Sequence, residues 1–159
     1  MSIFVKTFLL TTFLVSAAFS QNAGFGSIAS DRNKPIQFTS DSLIFNQKKN
    51  IAELFDKVEI TQGESILSAE HVKVIYSKTD NKLEKIFAGI NVVFKSGNDI
   101  AKAENAIYSF LEDTISLSGN AKLFQGSNSI LADQILINTK TGLTQMLGSV
   151  KTIISPSAN

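Results

Sequence analysis

The chain has 159 residues and a formal net charge of +1, which suggests one domain without the strong positive field that would attract nucleic acid. It contains no cysteine, which excludes disulfides, thiolate metal sites and a lipid-modified N-terminal cysteine. Twelve phenylalanines and many β-branched residues favour strands over helices.

The N-terminal residues 1–20 have the pattern of a secretory signal peptide. Lys6 supplies a positive charge, residues 7–19 are uncharged, and Ala18-Phe19-Ser20 offers small residues to a signal peptidase, which predicts cleavage before Gln21. An uncleaved membrane anchor is the alternative, although the apolar stretch is shorter than the roughly 20 residues that span a bilayer. The polar residues 21–34 are predicted to form a flexible leader, followed by one domain over 35–154 and a tail over 155–159.

From Ile36 onward, apolar and polar residues alternate in short runs separated by turn signals. This pattern predicts an all-β fold of repeated antiparallel strands with almost no helix. The turn signals are Gln62-Gly63, Asp80-Asn81, Ser96-Gly97-Asn98, Glu112-Asp113, Gly119-Asn120, Gln125-Gly126 and Thr141-Gly142.

A motif of a small residue, an acid and an apolar residue two positions later occurs four times. The acids are Asp41, Glu70, Glu104 and Asp133, at intervals of 29, 34 and 29 residues, a period typical of stacked structural units. Ala69 and Val72 both have the character of inward residues although they are three apart, so the strand must bend or bulge at Glu70. Stacked bends predict a sheet folded along a corner, with an apolar trough inside.

Alternation predicts which side chains line this trough. They are Phe38, Phe45, Leu54, Val58, Ile60, Val72, Val74, Tyr76, Ile90, Val92, Phe94, Tyr108, Phe110, Leu123, Ile135 and Ile137. The default interpretation of the lysines is a solvated outer surface. A functional alternative places Lys73, Lys95 and Lys122, which flank inward runs, at the mouth of the trough beside an anionic head group.

No catalytic set is evident in the sequence, so we expect neither an enzyme nor a cofactor. His71 is the single histidine, and its position at a repeat corner favours a polar bend residue over a general base. The column of acids could bind Ca²⁺ in principle. Such sites need several oxygen ligands converging at each turn, and one acid per repeat favours a structural corner, so no metal site is predicted.

Several segments resemble the LptA/OstA family of periplasmic lipopolysaccharide-transport proteins. Residues 35–41 (PIQFTSD) resemble the opening motif of its domain, 56–63 (DKVEITQG) its first full repeat, and 66–74 (ILSAEHVKV) the strand, corner and strand that follow. The similarity covers about residues 35–150. Each motif is short, and their order, period and preceding signal carry the resemblance.

The resemblance implies a twisted β-jellyroll open at both ends, a V-shaped two-sheet stack with lipid A acyl chains in the trough. It implies a carrier that passes lipopolysaccharide from the inner to the outer membrane. It also implies strand pairing with an LptC-like inner-membrane protein at the N-terminal edge, with an LptD-like outer-membrane barrel domain at the C-terminal edge, and head to tail with itself. The edge residues would be Ile36, Gln37, Phe38, Thr39, Val150, Thr152 and Ile153. A membrane-anchored LptC-like relative and a structural β-solenoid without a lipid ligand are the alternatives.

Overall fold

The computed structural model describes residues 25–155, most of which form β-strands, so the all-β prediction is confirmed. The predicted signal at 1–20, residues 21–24 of the predicted leader and residues 156–159 of the predicted tail lie outside this range. Within residues 25–155, no helix combines the length and the apolar composition needed to cross a membrane. The elements are α1 (Ser27–Asp31), β1 (Ile36–Thr39), β2 (Ser42–Asn46), β3 (Ile51–Gln62), β4 (Ser65–Tyr76), β5 (Leu83–Ser96), β6 (Asp99–Ser109), β7 (Thr114–Gln125), β8 (Asn128–Asn138), β9 (Thr144–Leu147) and β10 (Lys151–Ile153).

The strands form one antiparallel sheet in which neighbours in sequence are neighbours in space. From β3 to β8 each strand pairs with the next. Both β1 and β2 pair with β3, and both β9 and β10 pair with β8. Each end of the sheet therefore consists of two short strands that together correspond to one bent strand, interrupted at its corner. These are β1 with β2 at one end and β9 with β10 at the other.

A line of β-bulges creases the sheet across every long strand. On β3, β5 and β7, two consecutive residues with positive φ stand opposite a single acidic residue of the following strand. The extra residue increases the local twist and bends the strand. The bend predicted at each acid is thereby confirmed. The bulge pairs are Asp56-Lys57, Ile90-Asn91 and Gly119-Asn120, opposite Glu70, Glu104 and Asp133.

One predicted turn is wrong, because Gly119-Asn120 lies inside β7 and forms its bulge. Glycine and asparagine supply positive φ for a bulge as readily as for a turn, so the sequence alone cannot separate the two uses. The strands are longer than the short alternating runs of the sequence, because they continue through their bulges: β5 runs for 14 residues through Ile90-Asn91.

The crease divides the sheet into two arms. We call the one that contains β1 and β10 the β1 arm, and the one that contains β2 and β9 the β2 arm. Apolar side chains from both arms form one cluster between them, for example Ile60 and Leu67 from the β1 arm with Val74 and Ile86 from the β2 arm. The arms therefore face each other like a closed V, and the hairpin turns at their far ends form the two rims of its mouth.

Candidate functional site: an apolar trough and its mouth

Most of the predicted trough residues do lie between the arms. Strict alternation along each half-strand places them on the inner face, and the neighbouring strands continue the same rows. The buried ones are Leu54, Val58, Ile60, Val72, Val74, Val92, Phe94, Leu123, Ile135 and Ile137. The partly buried ones, which pack against this cluster, are Phe38, Tyr76, Tyr108 and Phe110.

Ile90 is wrongly predicted to line the trough. It is the first bulge residue of β5, has a φ of +66°, and leaves 57% of its surface exposed. The bulge interrupts the alternation and turns this side chain outward. Phe45 is also 56% exposed, but it pairs directly with the buried Ala52 and so lies on the trough face of the terminal strand β2.

Four large buried side chains of the trough were not among those predicted: Leu67, Ile86, Ile115 and Leu117. The partly buried Leu83, Ile130 and Met146, which pack against the same cluster, were also missed. A signal for two of them is present in the sequence. Ile115 and Leu117 alternate with a threonine and two serines over residues 114–118, which is the pattern of a half-buried strand. Counting every alternating run, including those interrupted only by serine, would have found them.

The three predicted head-group lysines lie on the outer surface, so their predicted place at the mouth of the trough is wrong. Lys73 stands between Val72 and Val74, whose side chains point inward, and its own side chain therefore points outward. Its ammonium group lies 5.0 Å from the centre of the Phe87 ring. Lys95 and Lys122 alternate with inward residues in the same way.

The space between the arms is narrow. A cavity of about 30 Å³ remains near the mouth, lined by side chains of both arms, which is room for one or two water molecules. Across the mouth, the Tyr108 hydroxyl donates to Gln62 Oε1 at 3.5 Å, which joins the two arms. The predicted apolar trough is present, but its own side chains fill most of it in this arrangement.

Residues 25–34 cover the mouth, and the predicted flexible leader is wrong for this segment. Phe25 is fully buried and Ile28 is 2% exposed. The Phe25 ring centre lies 5.1 Å from that of Phe94, and Ile28 lines the cavity. Phe25 precedes α1, and the Ile28 N–H donates to Phe25 O at 3.1 Å in the turn that opens the helix. Two apolar residues in so short a turn are not recognised among their polar neighbours.

Charged groups near the mouth are paired. Burial by itself would raise the pKa of Asp31, but the Lys34 ammonium and the Glu64 N–H lower it by more, so this pKa lies below its ordinary value. Lys140 and then Arg32 hold the pKa of Asp113 below its ordinary value, against a smaller opposing effect of burial. Both carboxylates are therefore ionised at neutral pH.

The corner acids contact the bulges rather than one another. In three corners the second bulge residue donates a side-chain hydrogen bond to the corner acid that precedes it in the sequence: Lys57 to Asp41 at 2.9 Å, Asn120 to Glu104 at 2.6 Å, and Asn91 to Glu70. His71 also has a structural place at the crease, where its ring stacks on Phe55 at 4.7 Å. Among residues 25–155, no three His, Asp or Glu side chains are grouped as a metal site would require.

The predicted edge residues lie at the two ends of the sheet. Residues 36–39 form β1, while Thr152 and Ile153 belong to β10 and Val150 precedes it. Among the described strands, β1 and β2 pair only with β3, and β9 and β10 pair only with β8. Each end of the sheet therefore presents one unpaired strand edge.

Comparison with known proteins finds similar sequences and a similar structure. The family model of the LptA/(LptD N-terminal domain) LPS transport proteins matches residues 37–143. The lipopolysaccharide export system protein LptA of Haemophilus influenzae is 26% identical over 156 residues, covering 91% of this chain and 90% of that protein. The crystal structure of LptH from Pseudomonas aeruginosa, the LptA homologue of its lipopolysaccharide transport device, superposes with a TM-score of 0.69 at 20% identity, covering 80% of this chain and 99% of that one.

The family model spans most of the sheet, from β1 to the turn before β9, and so includes the crease, both arms and the trough. This chain belongs to the LptA/LptD N-terminal domain family of lipopolysaccharide transport proteins.

Proposed function

We propose that this protein is a periplasmic carrier that shelters the acyl chains of lipopolysaccharide between its two arms, and that it acts as a conduit rather than as an enzyme. The supporting observation is the apolar row that runs along the whole inner face, from Phe45 at one end of the sheet to Met146 at the other. Apolar contact stabilises an acyl chain by about 0.8 kcal/mol for each buried CH₂. It is also non-directional, so a bound chain can slide along the row.

Photo-crosslinking in cells tests the location of the lipid. A photoreactive residue at Phe94 or Tyr108, which face the trough, should form an adduct with lipopolysaccharide. Val93 and Ile107 are the matched controls, because each is the immediate neighbour of a test position and faces the other side of the same strand. Adducts from the outward positions alone, or from none of the four, would reject the carrier function.

The unpaired edges support a second part of the proposal, that partners extend the sheet by strand addition. Edge strands have free backbone N–H and C=O groups that accept another strand. We assign the N-terminal edge to an LptC-like inner-membrane protein, the C-terminal edge to an LptD-like outer-membrane domain, and head-to-tail contact to further copies of this chain.

A crosslinker at Gln37 in β1 and one at Thr152 in β10 should each yield protein adducts, and the partners captured at the two edges should differ. Ser116, in the interior strand β7, is the control position. Equal adducts from Ser116, or none from either edge, would contradict strand addition.

Export is the remaining part of the proposal. Cleavage near Ser20-Gln21 would release the mature protein into the periplasm. N-terminal sequencing of the protein purified from cells should begin at or near Gln21. An intact Met1 would instead identify a membrane-anchored, LptC-like member of the same pathway.

A further inference from the structure

Residues 25–34, which we call the strap, fill the mouth of the trough with apolar side chains. Phe25 packs against Phe94 of the β1 arm. Ile28 lines the residual cavity together with Ile60 from the β1 arm and Ile115 from the β2 arm. The strap thus occupies the place through which an apolar chain would have to enter from the side.

Polar contacts fasten the strap to the rim of the β1 arm. The Glu64 N–H, in the turn after β3, donates to Asp31 Oδ2 at 2.7 Å. The Ser27 hydroxyl lies 2.6 Å from that of Ser96 at the end of β5. The Gln62 side chain donates to two strap carbonyls, at 2.8 and 3.1 Å.

Other contacts fasten it to the rim of the β2 arm. Arg32 forms an ion pair and hydrogen bond with Asp113, in the turn between β6 and β7. In the turn before β9, a Cβ added to Gly142 would lie 3.2 Å from Gly26 Cα, so the two backbones approach closely. The strap consequently bridges both rims, and the arms cannot separate widely while both sets of contacts hold.

The strap can leave without breaking the sheet. Its helix has five residues, too few to be stable without tertiary contacts, and it contributes no strand to the hydrogen-bonded ladder. Segments held by a few side-chain contacts open at a lower free energy than strands paired on both sides.

We propose that the strap is an intramolecular lid, which closes the trough between loading events and must lift from the rim of the β1 arm before a lipid acyl chain can enter. Because the proposed function supplies the ligand, this regulatory role rests on it. A lid of this kind lowers the apparent affinity for lipid in proportion to the fraction of molecules that are closed. It also shields the apolar row from solvent and from other apolar surfaces while no lipid occupies it.

A reversible crosslink tests the lid. The chain has no cysteine, so Ser27→Cys with Ser96→Cys introduces the only two thiols, at positions whose hydroxyls already touch. Oxidation should lock the strap closed, and binding of fluorescently labelled lipopolysaccharide should weaken at least about tenfold relative to the reduced protein. Reduction should restore it.

The matched control shares one of the two positions. Ser65 and Ser96 are cross-strand partners within the β1 arm, with hydroxyls 2.9 Å apart, so Ser65→Cys with Ser96→Cys adds a disulfide without tying down the strap. Oxidation of this control should leave binding unchanged. Equal binding by the oxidised and reduced strap variants would overturn the lid, as would an equal loss in the control.

A second probe separates this inference from the identity of the lipid. The dye 1-anilinonaphthalene-8-sulfonate fluoresces on entering apolar clefts, and its enhancement should fall on oxidation of the strap variant but not of the control. If the wild-type chain binds the dye but no lipopolysaccharide, the proposed carrier function fails while the dye comparison still decides the lid. An enhancement that is independent of oxidation in both variants would overturn the lid.

Discussion

The residues that crease the sheet have backbone conformations that most side chains avoid. At each bulge two consecutive residues have positive φ, and at most of these positions the chain supplies Asn, Asp or Gly. Gly119 has a second constraint, because a Cβ added there would lie 2.7 Å from Glu104 Oε2 and 2.8 Å from Glu104 Cβ. The crease thus depends on both conformational freedom and the absence of a side chain.

Two glycine substitutions separate these effects. Gly119 and Gly126 both have positive φ, but a Cβ at Gly126 would meet nothing within 4 Å. We expect Gly126→Ala to lower the free energy of unfolding by about 1 kcal/mol and Gly119→Ala by about 2–3 kcal/mol. Urea denaturation of the two variants measures the difference, and equal losses would show that crowding by Glu104 is unimportant.

Ile90 is a β-branched residue with positive φ and is largely exposed, so it is strained without a compensating gain from burial. The corresponding first positions of the other bulges are Asp56 and Gly119. Ile90→Asn should therefore raise the free energy of unfolding by about 1 kcal/mol. Ile107→Asn, on the outer face of the regular strand β6, is the control and should lower it. A lower urea midpoint for Ile90→Asn would contradict this account.

At the scale of elements, the strap is fastened by two carboxylates whose pKa values are lowered, those of Asp31 and Asp113. A group whose pKa is lowered in the folded state stabilises that state above its ordinary value of about 4, and this contribution is lost as the pH falls through the lowered pKa. Acid should therefore release the strap, whereas moderately alkaline pH should leave these contacts intact.

Unfolding experiments at several pH values check this expectation. The free energy of unfolding should fall between about pH 5 and pH 3, and the double variant Asp31→Asn, Asp113→Asn should show a shallower fall from a lower starting value. Parallel pH profiles for the two proteins would indicate that other carboxylates are responsible.

At the scale of the whole molecule, we expect the loading of a lipid, under the proposed function, to require the arms to move apart. The residual cavity of about 30 Å³ cannot hold an acyl chain. Once the strap lifts, the Tyr108–Gln62 hydrogen bond and the apolar contacts between the arms must also give way before the rims can separate. The bulges make the crease a natural hinge, because their ladder hydrogen bonds are already interrupted.

Spin labels can measure this opening on a chain that has no native cysteine. Labels at the exposed Glu64 and Glu112, on opposite rims, should move apart on addition of lipopolysaccharide by at least about 4 Å, the contact distance of one more layer of carbon atoms. Labels at Glu64 and Asn98, both on the rim of the β1 arm, should keep their separation. An unchanged distance across the mouth would exclude opening of the arms as the route of loading.

Alternation and period determined much of this protein from sequence alone. In a sheet with a single buried face, alternating residues must point alternately inward and outward. Val72 and Val74 could therefore be assigned to the inner face, with Lys73 between them on the outer face. The spacing of the acids located the crease. The same alternation places Lys73, Lys95 and Lys122 on the outer face of the sheet, which is incompatible with their predicted position at the mouth of the trough.

Local sequence could not determine the features that depend on distant partners. Whether Gly119-Asn120 makes a turn or a bulge depends on the register of two neighbouring strands, because both uses require the same backbone conformation. Phe25 and Ile28 are buried only because the rims of the two arms, formed by turns that lie between residues 62 and 144, come together around them. Period and alternation are properties of consecutive residues, whereas the closure of the trough is a property of surfaces that meet only when the sheet has folded along its crease.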